Sequence, residues 1–312
     1  VPDIASKVNV LRLEETALYF CERRNVMAFW NWKKKRTTAK PKINASVPKS
    51  KINIEKQESN VPPQPKKTDI SKPDKVPKNE DVRKEFLKTF HQLTYRYRSW
   101  DVWRDFIIMF ACSLSNPVDK SHYEEREKRY LKIIKKYNKQ EQKLFPELAA
   151  YVVMALEDNP EQDFLGSVFM ELNLGNKSTS QFFTPYHICE LMAKVTEEDV
   201  IAIVKEKGYI TISDPCCGAG ATLIAAVNEA KKQLEKVNLN FQNHVLVAAQ
   251  DIDETVALMC YIQLSLLGVA AYIKVGNSLT EPMSTDDNGE NYWFTVMYFS
   301  DVWAMRRLFH NI

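Results

Sequence analysis

Between residues 81 and 160 apolar side chains recur every three or four positions, which predicts a series of amphipathic helices. The segment 97–113 carries the widest apolar stripe, whose tryptophan and phenylalanine side chains are typical of a core rather than of a ligand site. The predicted helices cover residues 82–90, 97–113, 123–137 and 144–156. Residues 81–180 are therefore expected to form a helical domain.

After residue 180 the pattern changes to helical segments that alternate with short apolar and β-branched runs. Strands are predicted at 210–214, 245–251, 271–276 and about 292–299, with helices at 187–194, 223–230 and 254–267. Strands that alternate with helices predict an α/β fold with a parallel, Rossmann-like sheet over residues 181–312.

Four strands make a small sheet, and its last strand is expected to present open backbone groups. A partner subunit or self-association through this C-terminal sheet edge would cover them, and the aromatic residues of 292–309 suit such a contact. Alternatively, this strand and the segment after it pack on the chain's own helical domain.

The first 80 residues have a different composition. They hold 18 Lys and Arg against 9 Asp and Glu, a net charge of +9 in a chain whose total is +3. Residues 38–80 are rich in Lys and Pro and are interpreted as a flexible linker. In residues 1–37 the basic and aromatic side chains of 29–36 suit contact with nucleic acid, although a solvated tail or a partner-docking helix fits as well.

No apolar run reaches the roughly 18 residues that a membrane span needs, and no signal-peptide core begins the sequence. The expectation is a cytoplasmic protein without a membrane partner. Its six cysteines form no Cys-x-x-Cys pair and have no neighbouring histidine ligands, so no metal site is expected.

The segment 210–222 carries the clearest chemistry. A β-branched run ends at Asp214, and Gly218 and Gly220 follow directly before a helix. This arrangement brings bare backbone close to a ligand at a helix N-terminus, as in nucleotide-type cofactor sites. Leu223 stands where a dinucleotide fingerprint has its third glycine, and no P-loop lysine follows. A strand-to-helix turn without any ligand remains an alternative.

The string Asp-Pro-Cys-Cys-Gly-Ala-Gly at 214–220 resembles the loop of S-adenosylmethionine-dependent DNA methyltransferases that modify the exocyclic amine of adenine. The resemblance is in particular to the modification subunits of type I restriction systems. Three further segments resemble that family in the same order: Gln-Phe-Phe-Thr-Pro at 181–185, Gln-Asp-Ile-Asp at 250–253 and Gly-Asn-Ser-Leu at 276–279. The Asp-Phe-Leu-Gly segment at 163–166 resembles the family's lead-in.

The resemblance implies S-adenosylmethionine as cofactor and DNA as substrate. Asp214 is then expected to accept from the ammonium group of the cofactor, Asp251 from both ribose hydroxyls, and Asn277 from the adenine amine. Gly218 and Gly220 would leave space for the tail of the cofactor. The full expected set of cofactor-binding residues is Phe183, Thr184, Pro185, Asp214, Pro215, Cys217, Gly218, Gly220, Asp251, Ile252 and Asn277.

One family element is missing. Adenine-amine methyltransferases carry an Asn/Asp-Pro-Pro-Tyr/Phe segment after the fourth strand, and this sequence has no Pro-Pro after residue 63. Either Tyr298, Phe299, Ser300 and Asp301 replace that segment, or the protein binds its cofactor without transferring methyl groups. Transfer to a protein or a small molecule is a third possibility.

Overall fold

A computed structural model describes residues 79–174, 183–196 and 199–310. The basic arm and the linker predicted within residues 1–80 lie almost entirely outside these described residues. So does Gln181, the first residue of the Gln-Phe-Phe-Thr-Pro segment.

Helices make up most of the described chain. The predicted helical segments are confirmed, and three helices outside those segments, α5, α7 and α10, are added. The α-helices are α1 (Asn79–Thr94), α2 (Ser99–Ser115), α3 (Tyr123–Ile134), α4 (Lys139–Asp158), α5 (Phe164–Glu171), α6 (Tyr186–Val195), α7 (Val200–Lys207), α8 (Ala221–Glu235), α9 (Glu254–Leu266) and α10 (Asp301–His310).

Local side chains define where several helices begin. Asn138 and Glu141 form a capping box at the start of α4, which satisfies backbone N–H groups that have no partner within the helix. Asp163 accepts from Gly166 N at the start of α5, and Asp199 accepts from Ala202 N at the start of α7.

The sheet has the order β1-β2-β3-β4, and its first three strands are parallel. These are β1 (Ile210–Asp214), β2 (Val245–Asp251) and β3 (Ala270–Val275), which confirms the predicted strands to within one residue. Helices α8 and α9 connect them, as expected for βαβ units. The carboxyl ends of the three strands therefore meet at one edge of the fold.

The prediction of a strand over 292–299 is wrong beyond its first part. β4 covers only Tyr292–Phe294, runs antiparallel to β3, and is followed by a 3-10 helix at Val296–Phe299. Thr295 ends the strand because its hydroxyl donates to Val269 O at 2.7 Å and accepts from Ala271 N at 2.8 Å. The 3-10 helix then packs against the face of the sheet that carries Leu246 and Ala270 instead of continuing the strand.

The two faces of the sheet are covered differently. One face packs with α8, α9 and the helices of 79–174 in a single buried cluster that includes Val247, Ile273 and Trp103. The helical and α/β parts thus share one core. The other face is covered by α10, whose Trp303 packs on Leu246 and Ala270.

The two edges of the sheet also differ. At the β4 edge, Arg126 of α3 donates to Tyr292 O at 2.7 Å, and its guanidinium lies 3.9 Å from the Trp293 ring centroid. At the opposite edge, β1 has no strand outside it among the described residues, and Thr211 and Ser213 are exposed. The open edge is therefore β1, and not the last strand as the sequence predicted.

Across the described part of the chain, each helix is too short or too polar to cross a lipid bilayer.

Candidate cofactor-binding site

The candidate site lies at the carboxyl ends of the parallel strands, where the loop 215–220 connects β1 to α8. This loop is called the glycine loop below. Asp214 ends β1 and Asp251 ends β2, and both residues are partly exposed. Pro215, Cys216 and Ile252 are exposed beside them, whereas Cys217 is buried. In parallel α/β sheets this edge is where ligands bind.

The two glycines of the loop meet different neighbours. Both have positive φ angles, +52° at Gly218 and +93° at Gly220, which favour glycine. A Cβ at Gly220 would lie 2.8 Å from Cys260 Sγ of α9, so this glycine is required by packing of the loop on α9. A Cβ at Gly218 would lie 3.3 Å from the Phe183 ring on the partly exposed side of the loop. Of the two, Gly218 is the one that faces the candidate site.

The two carboxylates hold the loop in place. Asp214 Oδ1 accepts from Cys216 N at 3.0 Å and its Oδ2 accepts from Thr222 Oγ1 at 2.6 Å. Asp251 Oδ2 accepts from Gly218 N at 2.8 Å and its Oδ1 accepts from Asp253 N at 3.0 Å. Each carboxylate oxygen has a second lone pair, so both groups can accept further hydrogen bonds from a ligand.

The Asp251 carboxylate is partly buried. Desolvation raises its pKa above the usual aspartate range, while the hydrogen bonds from the Asp253 and Gly218 amides act in the opposite direction. A partly desolvated acceptor of this kind gains from a ligand that brings hydroxyl donors.

Residues 183–185 border the loop from the side of α6. Phe183 packs on Phe169 with ring centroids 5.3 Å apart and covers Gly218, while Thr184 and Pro185 are exposed. The structure thus brings Phe183, Gly218 and Asp251 together, as the sequence predicted for a common site.

Asn277 follows β3 at the same edge, but its side chain is engaged locally. Its Oδ1 accepts from Leu279 N at 2.9 Å and from Thr280 N at 3.4 Å. Gln250 Nε2 fixes this segment by donating to Gly276 O and Glu281 O. Recognition of an adenine amine by Asn277 would therefore share an oxygen that already stabilises a turn.

The candidate catalytic residues lie elsewhere. Because β4 runs antiparallel to β3, residues after Phe294 reach the amino ends of the parallel strands, where Thr295 contacts Val269 and Ala271. Tyr298 stacks on Phe294 with ring centroids 4.7 Å apart, Phe299 packs on Phe294, Ser300 is buried, and Asp301 begins α10. The structure does not bring these four residues to the glycine loop.

Sequence reasoning missed a buried polar contact beneath the loop. Gln263 of α9 is fully buried, and its Nε2 donates to Ala219 O at 2.9 Å and to Asp163 Oδ1 at 2.8 Å. The available signal was a carboxamide within an otherwise largely apolar helix. The described cysteines are all free thiols, and no cluster of potential metal ligands occurs in the described ranges.

Parallel strands whose carboxyl ends carry a glycine loop and flanking carboxylates define a nucleotide-type cofactor domain of the α/β class. Residues 162–312 match the family N-6 DNA methylase. This match confirms the resemblance seen in the sequence.

Two solved structures are similar to the chain at 15% sequence identity. One is a class I S-adenosylmethionine-dependent methyltransferase from Listeria monocytogenes, with a TM-score of 0.37 over 64% of this chain and 54% of that chain. The other is a type I restriction-modification system methyltransferase subunit from Streptococcus thermophilus, with a TM-score of 0.31 over 67% of this chain and 55% of that chain. The chain spans just over half the length of each.

Proposed function

We propose that this protein binds S-adenosylmethionine at the glycine loop and transfers its methyl group to the exocyclic amine of adenine in DNA. The observation that carries the proposal is the loop 215–220 between two strand-end carboxylates, within the residues that match the N-6 DNA methylase family. Restriction-modification is the biological setting that this family match favours.

The described residues fit this cofactor. Gly218 offers bare backbone at a partly exposed position, where a side chain would crowd Phe183. Asp251 retains lone pairs for the two ribose hydroxyls, and Asp214 retains lone pairs for an ammonium group. Thr184, Pro185, Pro215, Cys217, Gly220, Ile252 and Asn277 complete the proposed set around these positions.

When bound, S-adenosylmethionine supplies a methyl group activated by its sulfonium centre. The protein's own part is alignment: Asp214 and Asp251 orient the two ends of the ligand, and Phe183 shields the loop from water. An adenine base must leave its duplex to reach this edge of the sheet.

Calorimetric titration with S-adenosylmethionine, followed by transfer of tritiated methyl to unmethylated DNA, tests the proposal. Asp251→Ala is expected to weaken cofactor binding by about 10- to 100-fold, because a charged acceptor for two hydroxyls is lost. Glu235→Ala is the matched control, since this exposed carboxylate lies at the far end of α8. Equal affinity of Asp251→Ala and the intact protein would refute the ribose contact.

A second function, cofactor binding without methyl transfer, is favoured by one observation. Tyr298, Phe299, Ser300 and Asp301 lie at the amino ends of the strands, opposite the loop. The same experiment separates the two functions: label in adenine supports the methyltransferase, and binding without label supports a regulatory or partner protein. Label in protein or in a small molecule would indicate a different methyl acceptor.

DNA binding is proposed to draw on the net charge of +9 in residues 1–80. Attraction to phosphates releases counterions, so the observed affinity would fall steeply with salt concentration. Removing residues 1–78 should flatten this salt dependence and leave cofactor affinity unchanged.

We also propose self-association next to the open β1 edge. Helix α10 lies beside the start of β1 through the Tyr209–Trp303 contact, and it exposes Met305, Leu308 and Phe309. Two copies packed with antiparallel α10 helices would bring the acidic start of one helix beside the basic second half of the other. Light scattering should then show a dimer that Phe309→Ser converts to a monomer. A monomeric intact protein would refute this.

A further inference from the structure

A network of hydrogen bonds lies in the hydrophobic core directly beneath the glycine loop. Asp163 Oδ1 at the start of α5 accepts from Gln263 Nε2 at 2.8 Å, and Gln263 Nε2 also donates to Ala219 O at 2.9 Å. Asp163 is 6%, Gln263 0% and Ala219 1% exposed. Residues distant in sequence are therefore joined where water has little access.

The Gln263 carboxamide has only one orientation that satisfies its neighbours. Its Oε1 accepts from Leu165 N at 3.1 Å, while Nε2 faces two oxygens, Asp163 Oδ1 and Ala219 O. A flipped amide would place its oxygen against both of these oxygens and its NH2 against an N–H donor. The donor toward Ala219 O is thus fixed by the surroundings.

The start of α5 is shaped for this contact. Asp163 Oδ1 also accepts from Gly166 N at 2.8 Å, and a Cβ at Gly166 would lie 1.9 Å from Asp163 Oδ2. Glycine is therefore required three residues after the aspartate, which gives a physical reason for the Asp-Phe-Leu-Gly segment. Desolvation raises the pKa of Asp163, while the hydrogen bonds from Gln263 and Gly166 oppose that rise.

The loop is held from two sides. Asp251 binds Gly218 N from the open side, and Gln263 binds Ala219 O from the buried side. The two contacts therefore bracket the peptide unit that joins Gly218 to Ala219. An unpaired carbonyl at a 1% exposed position is unfavourable, so removing the donor favours rearrangement of the loop.

We propose that Gln263 is a positioning residue, which holds the glycine loop in its ligand-binding conformation and connects it to the helical part through Asp163. The relevance to cofactor binding rests on the proposed function; the effect on the loop itself does not. Gln263 makes no contact with the ligand under this proposal, and it acts on the loop through its hydrogen bond to Ala219 O.

Alkylation of the cysteines measures directly, in the intact protein, whether the glycine loop keeps its conformation. Cys216 is exposed, Cys217 is buried in the same loop, and Cys112 is buried in α2. In Gln263→Leu, alkylation of Cys217 should become at least about fivefold faster, the equivalent of one net hydrogen bond, while Cys112 stays protected. Cys216 is the internal reference, and mass spectrometry identifies the labelled residue.

A double variant, Asp163→Asn with Gln263→Glu, separates positioning from simple stability. The new amide can donate to the new carboxylate, which also accepts from Leu165 N, so the α5–α9 link is retained, and at the start of α5 only the bond from Gly166 N to residue 163 is lost. Ala219 O, however, loses its donor. At pH 8.5 the melting temperature should exceed that of Gln263→Leu, while Cys217 remains labelled and S-adenosylmethionine binds about fivefold more weakly than to the intact protein.

The outcomes are distinguishable. If Cys217 and Cys112 are labelled in parallel, or if Cys217 stays protected in both variants, Gln263 has only a structural role and the proposal is refuted. If the intact protein does not bind S-adenosylmethionine, the proposed function fails, but faster labelling of Cys217 alone still supports positioning of the loop by Gln263.

Discussion

The two edges of the sheet are built in opposite ways. The β4 edge is closed by side chains: Arg126 binds Tyr292 O and covers Trp293, and Lys274 pairs with Asp287 at 2.7 Å. The β1 edge has exposed Thr211 and Ser213 and no described strand outside it. Closed edges contribute to the stability of a fold, whereas open edges are available for pairing. Stability and association are thus expected to depend on opposite sides of this molecule.

The largest effect is expected from Arg126→Ala. Arg126 is 5% exposed and pairs with the 2% exposed Asp119 at 2.7 Å, so its removal leaves a buried carboxylate without its guanidinium partner. We expect a loss of about 3–5 kcal/mol in the free energy of unfolding, measured by urea denaturation.

Arg104→Ala is the control for that measurement, because Arg104 is exposed and lies 3.9 Å from Asp101. It should change the free energy of unfolding by less than about 0.5 kcal/mol. Similar losses in the two variants would mean that the β4 edge is not stabilised by Arg126.

A smaller effect concerns pH. Hydrogen bonds from Lys274 and Tyr292 lower the pKa of Asp287 from 3.8 to about 2. A carboxylate with a depressed pKa in the folded state stabilises the fold above its unfolded pKa, and this contribution is lost as the pH falls from about 4 to about 2. The urea midpoint of Asp287→Asn should therefore fall less over this range than that of the intact protein. Asp286→Asn, at a neighbouring exposed position, should behave like the intact protein. If the urea midpoint falls equally with pH in both variants and in the intact protein, the stabilising role of the Asp287 carboxylate is contradicted.

The smallest effect on stability is expected at the open edge. Ser213→Lys places a charge on an exposed position of β1, so the free energy of unfolding should change by less than about 0.5 kcal/mol. If another chain pairs with β1, the charge should nevertheless weaken the association. Analytical ultracentrifugation measures this, and an unchanged dimer would exclude β1 from the interface.

The parallel strands and most of the helices could be predicted because their signals are local. β-branched runs ending at Asp214 and Asp251 and helical spacing around Trp103 need no knowledge of distant contacts. β4 was predicted too long because the bonds of Thr295 to Val269 and Ala271 bridge about 25 positions. Pattern reasoning does not detect such contacts.

The distinction between local signals and contacts of distant residues also applies to the candidate site. Asp214, Gly218 and Asp251 stood out in the sequence because loop and strand ends have local signatures. Gln263 did not, since its partners Asp163 and Ala219 are 100 and 44 residues away. For the same reason, the sequence did not indicate that packing against Cys260 requires glycine at position 220.

The shared core has a practical consequence for dissecting the chain. Phe86 packs on Phe164 and Tyr261 on Trp293, and all four belong to one cluster that also includes side chains of α2 and α4. A fragment cut at residue 162, where the family match begins, would place aromatic surface in water. Such a fragment should aggregate on expression, so assays of methyl transfer need a protein that keeps helices α1 to α4.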